Sequence, residues 1–429
     1  MTSVGSDLSP QQELLRDAVL VAIVAIVTFQ LLRRHVGDYY HVPSGSMEPT
    51  LHGDRLHGDI VEVHGDIVFV DWLADRAACR RHDMVVVKDP TKPGQQLVKR
   101  IAARGDDPEC WIDMRDGDLW LGTDRQRMRR EQKDPLEARA VRATWASWPP
   151  VAPAETKLLD VRAARVDADQ LVVSPVDAAA AGLRGLMTPQ ARRVRRQEPG
   201  RHALPAGFVG TAQAVDASHT LPSGARTREG EDVPVVDCGM DLQVAEPPAE
   251  LLASIDARDE TLTFVWQPAS GRLALWRNGE DVAQATLPGC PGAHRIEFGR
   301  LDDRAFFVVD GRRDAMFCFE RRPEWQSQEN TAMTPVGPRC HLHLGVAGER
   351  PLRLASLVVF RDLFAWRDRI VGQSGDWPRF VAPGHWFLLG DNSFNSNDSR
   401  GFGPVPTHTF LGRPWFVLGP WPRQRWLRP

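Results

Sequence analysis

The first marked feature of the chain is an uncharged apolar run from Ala18 to Leu32, AVLVAIVAIVTFQLL, bounded by Arg16-Asp17 before it and Arg33-Arg34 after it. A bilayer-spanning helix needs roughly 20 residues, a length reached by starting at Leu14 and letting Arg16 and Arg33 snorkel. The run ends in Leu-Leu-Arg-Arg-His without a small-x-small cleavage site, so the pattern predicts an uncleaved anchor over residues 14–34 rather than a removed signal peptide. A buried core helix is the competing reading. Past residue 35 the period changes from helical to two. Asp59-Ile60-Val61-Glu62-Val63 and Asp66-Ile67-Val68-Phe69-Val70 alternate apolar and polar positions and are separated by His-Gly turns, as half-buried strands do. Met84-Val85-Val86-Val87 and Gln96-Leu97-Val98-Lys99 continue the pattern around the turn Asp89-Pro90-Thr91-Lys92-Pro93-Gly94. A compact β unit is expected over 35–122.

From Thr123 the alternation fades. Arg-rich and Ala-rich stretches and the Trp148-Pro149-Pro150 break read as a long connection with a few strands, reaching about Ser218. Strand signals return between about Val233 and Phe364, at Thr261–Trp266, Arg272–Trp276, His294–Phe298, Ala305–Asp310 and Leu354–Phe360, with a spacing of about ten residues that points to a sandwich. Residues 377–429 resume short strands around a Gly-Asp-Asn turn. The expected fold class is mainly β: an N-terminal transmembrane helix, a β body in two parts (35–122 and 377–429), and a large β-sandwich-like insertion over 123–376.

Composition narrows the function. The net charge is -3, from 53 basic and 56 acidic residues spread along the chain without a basic stripe, so nucleic acid is not an expected partner. Fourteen Trp, 33 Pro and 35 Gly favour strands and loops over an all-helical fold. Cys79, Cys110, Cys238, Cys290, Cys318 and Cys340 form no CxxC pair, which gives a zinc site or a thioredoxin-type motif little support and leaves disulfide pairing open. In Cys340-His341-Leu342-His343 the two His share one strand face, read as a solvated face rather than a metal site. No metal or cofactor is expected.

Three segments carry candidate chemistry. Pro43-Ser44-Gly45-Ser46-Met47-Glu48-Pro49-Thr50-Leu51 sets two hydroxyls beside a Gly and between prolines, a rigid platform for a nucleophile, though an ordinary Ser/Gly/Pro turn has the same composition. Lys99 sits in strand-like Leu97-Val98-Lys99-Arg100-Ile101; burial would favour its neutral amine and let it act as a base, whereas a strand-edge charge is the plainer alternative. Gly390-Asp391-Asn392-Ser393-Phe394-Asn395-Ser396-Asn397-Asp398-Ser399-Arg400 is dense in turn formers and offers hydroxyl and carboxylate–guanidinium groups that could orient such a lysine.

Taken together, and in this order after an apolar anchor, these segments resemble the type I signal peptidase family, the bacterial leader peptidases. The resemblance covers about residues 14–122 and 377–429. It implies a membrane-bound serine endopeptidase with Ser46 as nucleophile and Lys99 as general base, and Ser44 as the oxyanion-hole hydroxyl. Ser396 would hydrogen-bond the lysine, Asp398 and Arg400 would form a supporting ion pair, and Asp391 and Asn392 the turn. Tyr40, Val42, Met47, Leu51, Leu97 and Val98 would line shallow pockets for small residues before the cut. The implied partners are signal peptides of translocated precursors, membrane lipid and the translocation machinery. The implied place is the outer face of a cytoplasmic membrane, with a single-pass anchor.

The chain departs from the family pattern in two places. Ala102-Ala103-Arg104-Gly105-Asp106 stands for a usual Gly-x-Pro-Gly-Asp element, and His82-Asp83 for a usual Gly-Asp. His-Gly-Asp also recurs between Leu51 and Phe69, and Arg104-Gly105-Asp106 spells an adhesion tripeptide that the lysine segment already explains. Counting charges, Arg33 and Arg34 after the anchor against Arg16 before it would place the body in the cytoplasm, opposite to what the family implies. Two rivals remain: a tethered binding protein that uses the inserted β domain over a decayed peptidase, and a Ser/Lys protease akin to the self-cleaving repressors. The anchor and the absence of a DNA-binding helix pair oppose the second.

Overall fold

A computed structural model describes residues 10–427 apart from 58–59, 116, 151–154, 156, 176–207, 220–226, 228–234, 236, 258–259, 289–291, 293, 303, 321–339, 364, 366 and 368–375. A helix runs over Pro10–His35; its stretch Leu14–His35, 22 residues, is long and apolar enough to cross a bilayer, and none of that window packs against the rest of the chain. At its exit Arg33 forms two bonds of 2.8 Å with Asp38, so one of the two flanking cations is already paired.

The body then alternates strands from both ends of the sequence. One antiparallel sheet has the order Gly37–His41, Ile67–Asp71, Phe410–Gly419, Met84–Lys88, Gln96–Arg104, His385–Leu389, Val405–Pro406. Because strands of residues 385–419 lie between and beside those of residues 37–104, everything in the middle of the chain is an excursion from one fold. A second sheet joins Arg379–Phe380, Trp111–Arg115, Asp118–Gly122 and Met128–Arg130. The first part of the body therefore continues past residue 122, since Met128–Arg130 pairs with Asp118–Gly122.

The excursion is a two-layer sandwich. One sheet is built on Leu352–Asp362, Cys238–Glu246, His294–Leu301 and Arg304–Val309, the other on His341–Ala347, Glu250–Asp256, Thr261–Gln267 and Arg272–Arg277. Their facing side chains form one continuous apolar core. Phe264 lies 5.5 Å from Phe307, which lies 5.5 Å from Trp266; each such fully buried side chain contributes about 1.5–3 kcal/mol.

Two expectations are corrected here. The sandwich is not confined to about 233–364: Arg142–Trp148 and Gln170–Val173 both pair with Leu352–Asp362, so much of the supposed connection is sheet. Its short strands lack clean alternation because both faces are covered. Likewise His341 and His343 are 5% and 4% exposed rather than solvated, since their strand lies between Val209–Thr211 and Glu250–Asp256 and Phe208 covers the outer face at Gly345.

Body and insert are joined by a buried ion cluster. Lys133 Nζ donates to Asp302 and Asp362, each at 2.7 Å, and its backbone N–H donates to Asp302 at 2.6 Å. Burial alone would lower the lysine, but Asp362 and Asp302 outweigh it and hold its pKa well above the usual value.

Candidate active site

The chain leaves the strand Gly37–His41, passes Pro43 and makes one turn of 3-10 helix at Gly45–Met47. That turn buries Met47 and leaves Ser46 half-buried and Ser44 exposed, with 3.5 Å between the two hydroxyl oxygens. Glu48 N–H closes the turn on Gly45 O at 3.1 Å.

Lys99 arrives from the middle of the strand Gln96–Arg104, where it faces Val85 across the ladder. Its side chain is only 2% exposed, and its Nζ lies 2.7 Å from Ser46 Oγ. Burial lowers the lysine pKa to about 8; Asp398 and Asp391 pull it back up and Arg400 pushes it down. That puts about a tenth of the amine in the neutral form at pH 7, the form that a base for a serine hydroxyl requires.

The Gly-Asp-Asn loop follows the strand His385–Leu389 and holds this pair from the other side. Asn392 donates its backbone N–H to Ser46 O at 3.1 Å and its side-chain amide to Gly45 O at 3.2 Å. Gly390 is required by close approach: a Cβ there would stand 2.1 Å from Ser396 Oγ and 2.4 Å from Ser46 O. Asp398 accepts from Gly390 N–H at 3.0 Å and from Arg400 Nε and Nη2 at 2.8 and 2.7 Å. Burial would raise the Asp398 pKa, but the Arg400 pair outweighs it and keeps the carboxylate ionised.

The structure thus brings Ser46, Lys99, Ser44, Asp391, Asn392, Ser396, Asp398 and Arg400 into one cluster, with three differences in detail. Ser396 is buried in the same layer, yet its hydroxyl makes no hydrogen bond to Lys99 or to any other described residue. Met47 and Leu51 are core residues packed with Val42, Val68, Met84 and Val417, so they support the floor of the site and do not line an open pocket. Val42 belongs to that buried cluster too and Val98 borders it, while Tyr40 and Leu97 are half-buried. Asp391 does more than turn the chain. It accepts from Arg100 Nε and Nη2 at 2.8 and 2.6 Å and from the Thr50 hydroxyl at 2.5 Å. Arg100 and Thr50 were not singled out by sequence; the available signal was that a second buried cation next to Lys99 needs its own acid on the opposite strand face.

Both departures from the family pattern are accommodated. Gly105 N–H donates to His385 O and Gly384 N–H to Asp106, each at 2.9 Å, so the turn behind Lys99 is tied down without a proline. His82 sits at φ 71, in the left-handed region that glycine favours. Its ring Nε2 lies 2.9 Å from Glu131 Oε1 and its carbonyl accepts from Arg100 at 2.6 Å, which holds it there.

A β body closed from both chain ends, with a serine hydroxyl against a buried lysine, has the form of a serine hydrolase split by an insert. The comparisons place it more narrowly. The family model described as signal peptidase, peptidase S26, matches residues 15–159 and 361–420, which bracket most of the sandwich and take in its strand Arg142–Trp148. Signal peptidase I of Aquifex aeolicus (strain VF5) is 32% identical over 94 residues, 22% of this chain and 32% of that protein; the match spans about a third of the relative's length. Over these two segments the chain is similar to the signal peptidase family. This family is membrane-associated and consists of serine proteases that remove signal peptides. Among solved structures, a galectin of Caenorhabditis elegans is similar at 14% identity and TM-score 0.21, covering 29% of this chain and 83% of the galectin. Alginate lyase A1-II' is similar at 15% identity and TM-score 0.23, covering 39% of this chain and 76% of the lyase. At such scores the overlap says nothing about a ligand.

Proposed function

We propose that the chain is a membrane-bound serine endopeptidase that removes signal peptides from translocated precursors by a Ser/Lys dyad. The observation that carries this reading is the 2.7 Å approach of Lys99 Nζ to Ser46 Oγ in a site where burial favours the neutral amine. In the acylation step Lys99 takes the Ser46 proton as Oγ attacks the scissile carbonyl, and the new oxyanion is met by the Ser46 backbone N–H and the Ser44 hydroxyl. The Lys99 ammonium then returns the proton to the leaving amine, and the acyl-enzyme is hydrolysed by a water that Lys99 deprotonates in turn. The Asp398–Arg400 pair and Asp391–Arg100 pair keep the surrounding charges fixed and balanced, so that no full anion is left to recharge the lysine. Asn392 keeps Ser46 in register.

Tyr40, Leu97 and Val98, half-buried, would bound the substrate near Ser46. The helix Pro10–His35 would anchor the body beside the bilayer, with the site on the extracytoplasmic side, where precursors emerge from the translocation machinery. Cleavage of a precursor with an Ala-x-Ala site by detergent-solubilised full-length protein tests the reading. Wild type should cut after the second Ala, and Ser46→Ala and Lys99→Ala should each lose activity by at least about a thousandfold. A folded wild type inactive on several precursors would instead favour a tethered binding protein acting through the sandwich.

A further inference from the structure

The insert does not merely interrupt the peptidase; it reaches beneath the nucleophile. Sandwich strand Leu352–Asp362 presents Arg361, whose Nη2 and Nε donate to the carbonyls of Ala217 and Ser218 at 2.7 and 3.3 Å. Trp145, in the strand Arg142–Trp148, donates its indole N–H to Asp216 at 3.0 Å. These contacts fix residues 216–218 to the sandwich. The next residue, His219, exchanges backbone and hydroxyl bonds with Thr227 at 3.0 and 3.1 Å and is buried against the peptidase, its Nε2 3.3 Å from Glu48 Oε2.

Glu48 is itself buried and belongs to the nucleophile loop. It accepts from Arg55 Nη2 at 2.5 Å and from Gly53 N–H at 3.3 Å. Burial would raise its pKa, but His219 and Arg55 outweigh this and hold the carboxylate ionised. An ionised carboxylate only accepts, so His219 Nε2 is the donor. The same carboxylate lies against Gly45, where a Cβ would stand 2.9 Å from Glu48 Oε2. The Gly45–Ser46 peptide is therefore held between two clamps: Glu48 beneath it and Asn392 beside it.

We infer that His219, a residue of the insert, is a positioning residue for Ser46, acting through Glu48 to hold the backbone amide and hydroxyl of the nucleophile in place. This rests on the proteolytic reading above. Removing the donor leaves a buried carboxylate short of a partner and frees it to pull away from Gly45. Ground-state binding of the precursor, which uses other side chains, is left as it was.

The test compares full-length His219→Leu, which keeps apolar bulk, with His219→Gln, whose amide nitrogen can reach the position of Nε2. On a precursor that wild type cleaves and Ser46→Ala does not, His219→Leu should lower kcat by about tenfold or more with KM within about twofold, and His219→Gln should stay within about threefold of wild type. Amide hydrogen exchange over residues 44–53 should rise in His219→Leu and not in His219→Gln. A folded His219→Leu with wild-type kcat and exchange, or a His219→Gln as impaired as His219→Leu, would overturn the inference. If wild type cleaves nothing, the proteolytic reading fails, and the exchange comparison alone decides whether His219 braces the loop. If His219→Leu does not fold, His219→Ala takes its place, with recovery of kcat and of exchange protection by added imidazole expected and their non-recovery contradicting the role.

Discussion

The peptidase body and the inserted sandwich are both antiparallel β, yet they gather their apolar residues differently. The sandwich closes over one continuous core in which Trp145, Trp266, Phe264, Phe298 and Phe307 are fully enclosed. In the body the apolar residues fall into three smaller clusters, and beside them lie Lys99, Arg100, Asp391, Asp398 and Arg400, all buried. A core of the first kind is held by area and shape and tolerates change locally. A core of the second kind is held by paired charges, each of which becomes expensive once its partner is gone. The site is therefore in the unit whose apolar residues fall into small clusters, and the unit with the continuous core lies outside it.

The widest separation between the two should come from one substitution in each. Arg400→Met leaves Asp398 buried without its bidentate partner and should destabilise by about 3–5 kcal/mol. Because Asp398 would then act on Lys99 unopposed, the lysine would hold its proton more tightly and cleavage at neutral pH should fall. Phe307→Ala should destabilise by a similar 3–5 kcal/mol or so through its cavity while leaving cleavage per folded molecule unchanged. Urea unfolding and active-site-normalised rates check both; equal activity losses in the two variants would erase the distinction.

The next effect in size lies wholly in the sandwich. Cys238 and Cys340, at the starts of strands in opposite sheets, have sulfurs 3.2 Å apart and are both buried. Oxidation by glutathione disulfide should close a bond between residues 102 apart in sequence and stabilise by about 2–4 kcal/mol, lost in Cys238→Ser. Non-reducing peptide mapping with thermal unfolding measures it, and a reduced pair after such treatment would contradict it.

The smallest effect returns to the body. His82→Gly and His82→Ala both lose the Glu131 contact, so the difference between them isolates the left-handed backbone. His82→Gly should be the more stable by about 1 kcal/mol, read as the shift in urea midpoint. No difference would mean that position 82 relaxes out of that conformation.

Much of this site was legible because its chemistry is local in sequence. Ser44–Ser46, Lys99 and the 390–400 loop each sit in a short segment whose turn formers or strand alternation show in a single window, and their order led to the family. What was not legible depends on long-range pairing. Arg100 reads as an ordinary strand charge until Asp391 comes to lie opposite it, 291 residues away in sequence. Met47 and Leu51 look like pocket residues until the 3-10 turn at Gly45–Met47 aims them inward. The strands Arg142–Trp148 and Gln170–Val173 read as connection because their partner, Leu352–Asp362, comes some 180 to 210 residues later and no local alternation marks them. His341 and His343 alternate correctly but are covered on the face that an isolated strand would leave open. Cys290 lies outside the described residues.

The central claim is that a lysine whose pKa is lowered by burial activates Ser46 in its neutral form. Measuring kcat/KM for precursor cleavage from about pH 6 to pH 10 tests it most directly. Only the neutral amine can accept the Ser46 proton, so the rate should rise with pH and level off above a midpoint near the Lys99 value of about 8. A pH-independent rate, or a rise centred near the ordinary lysine value of about 10.4, would contradict the account.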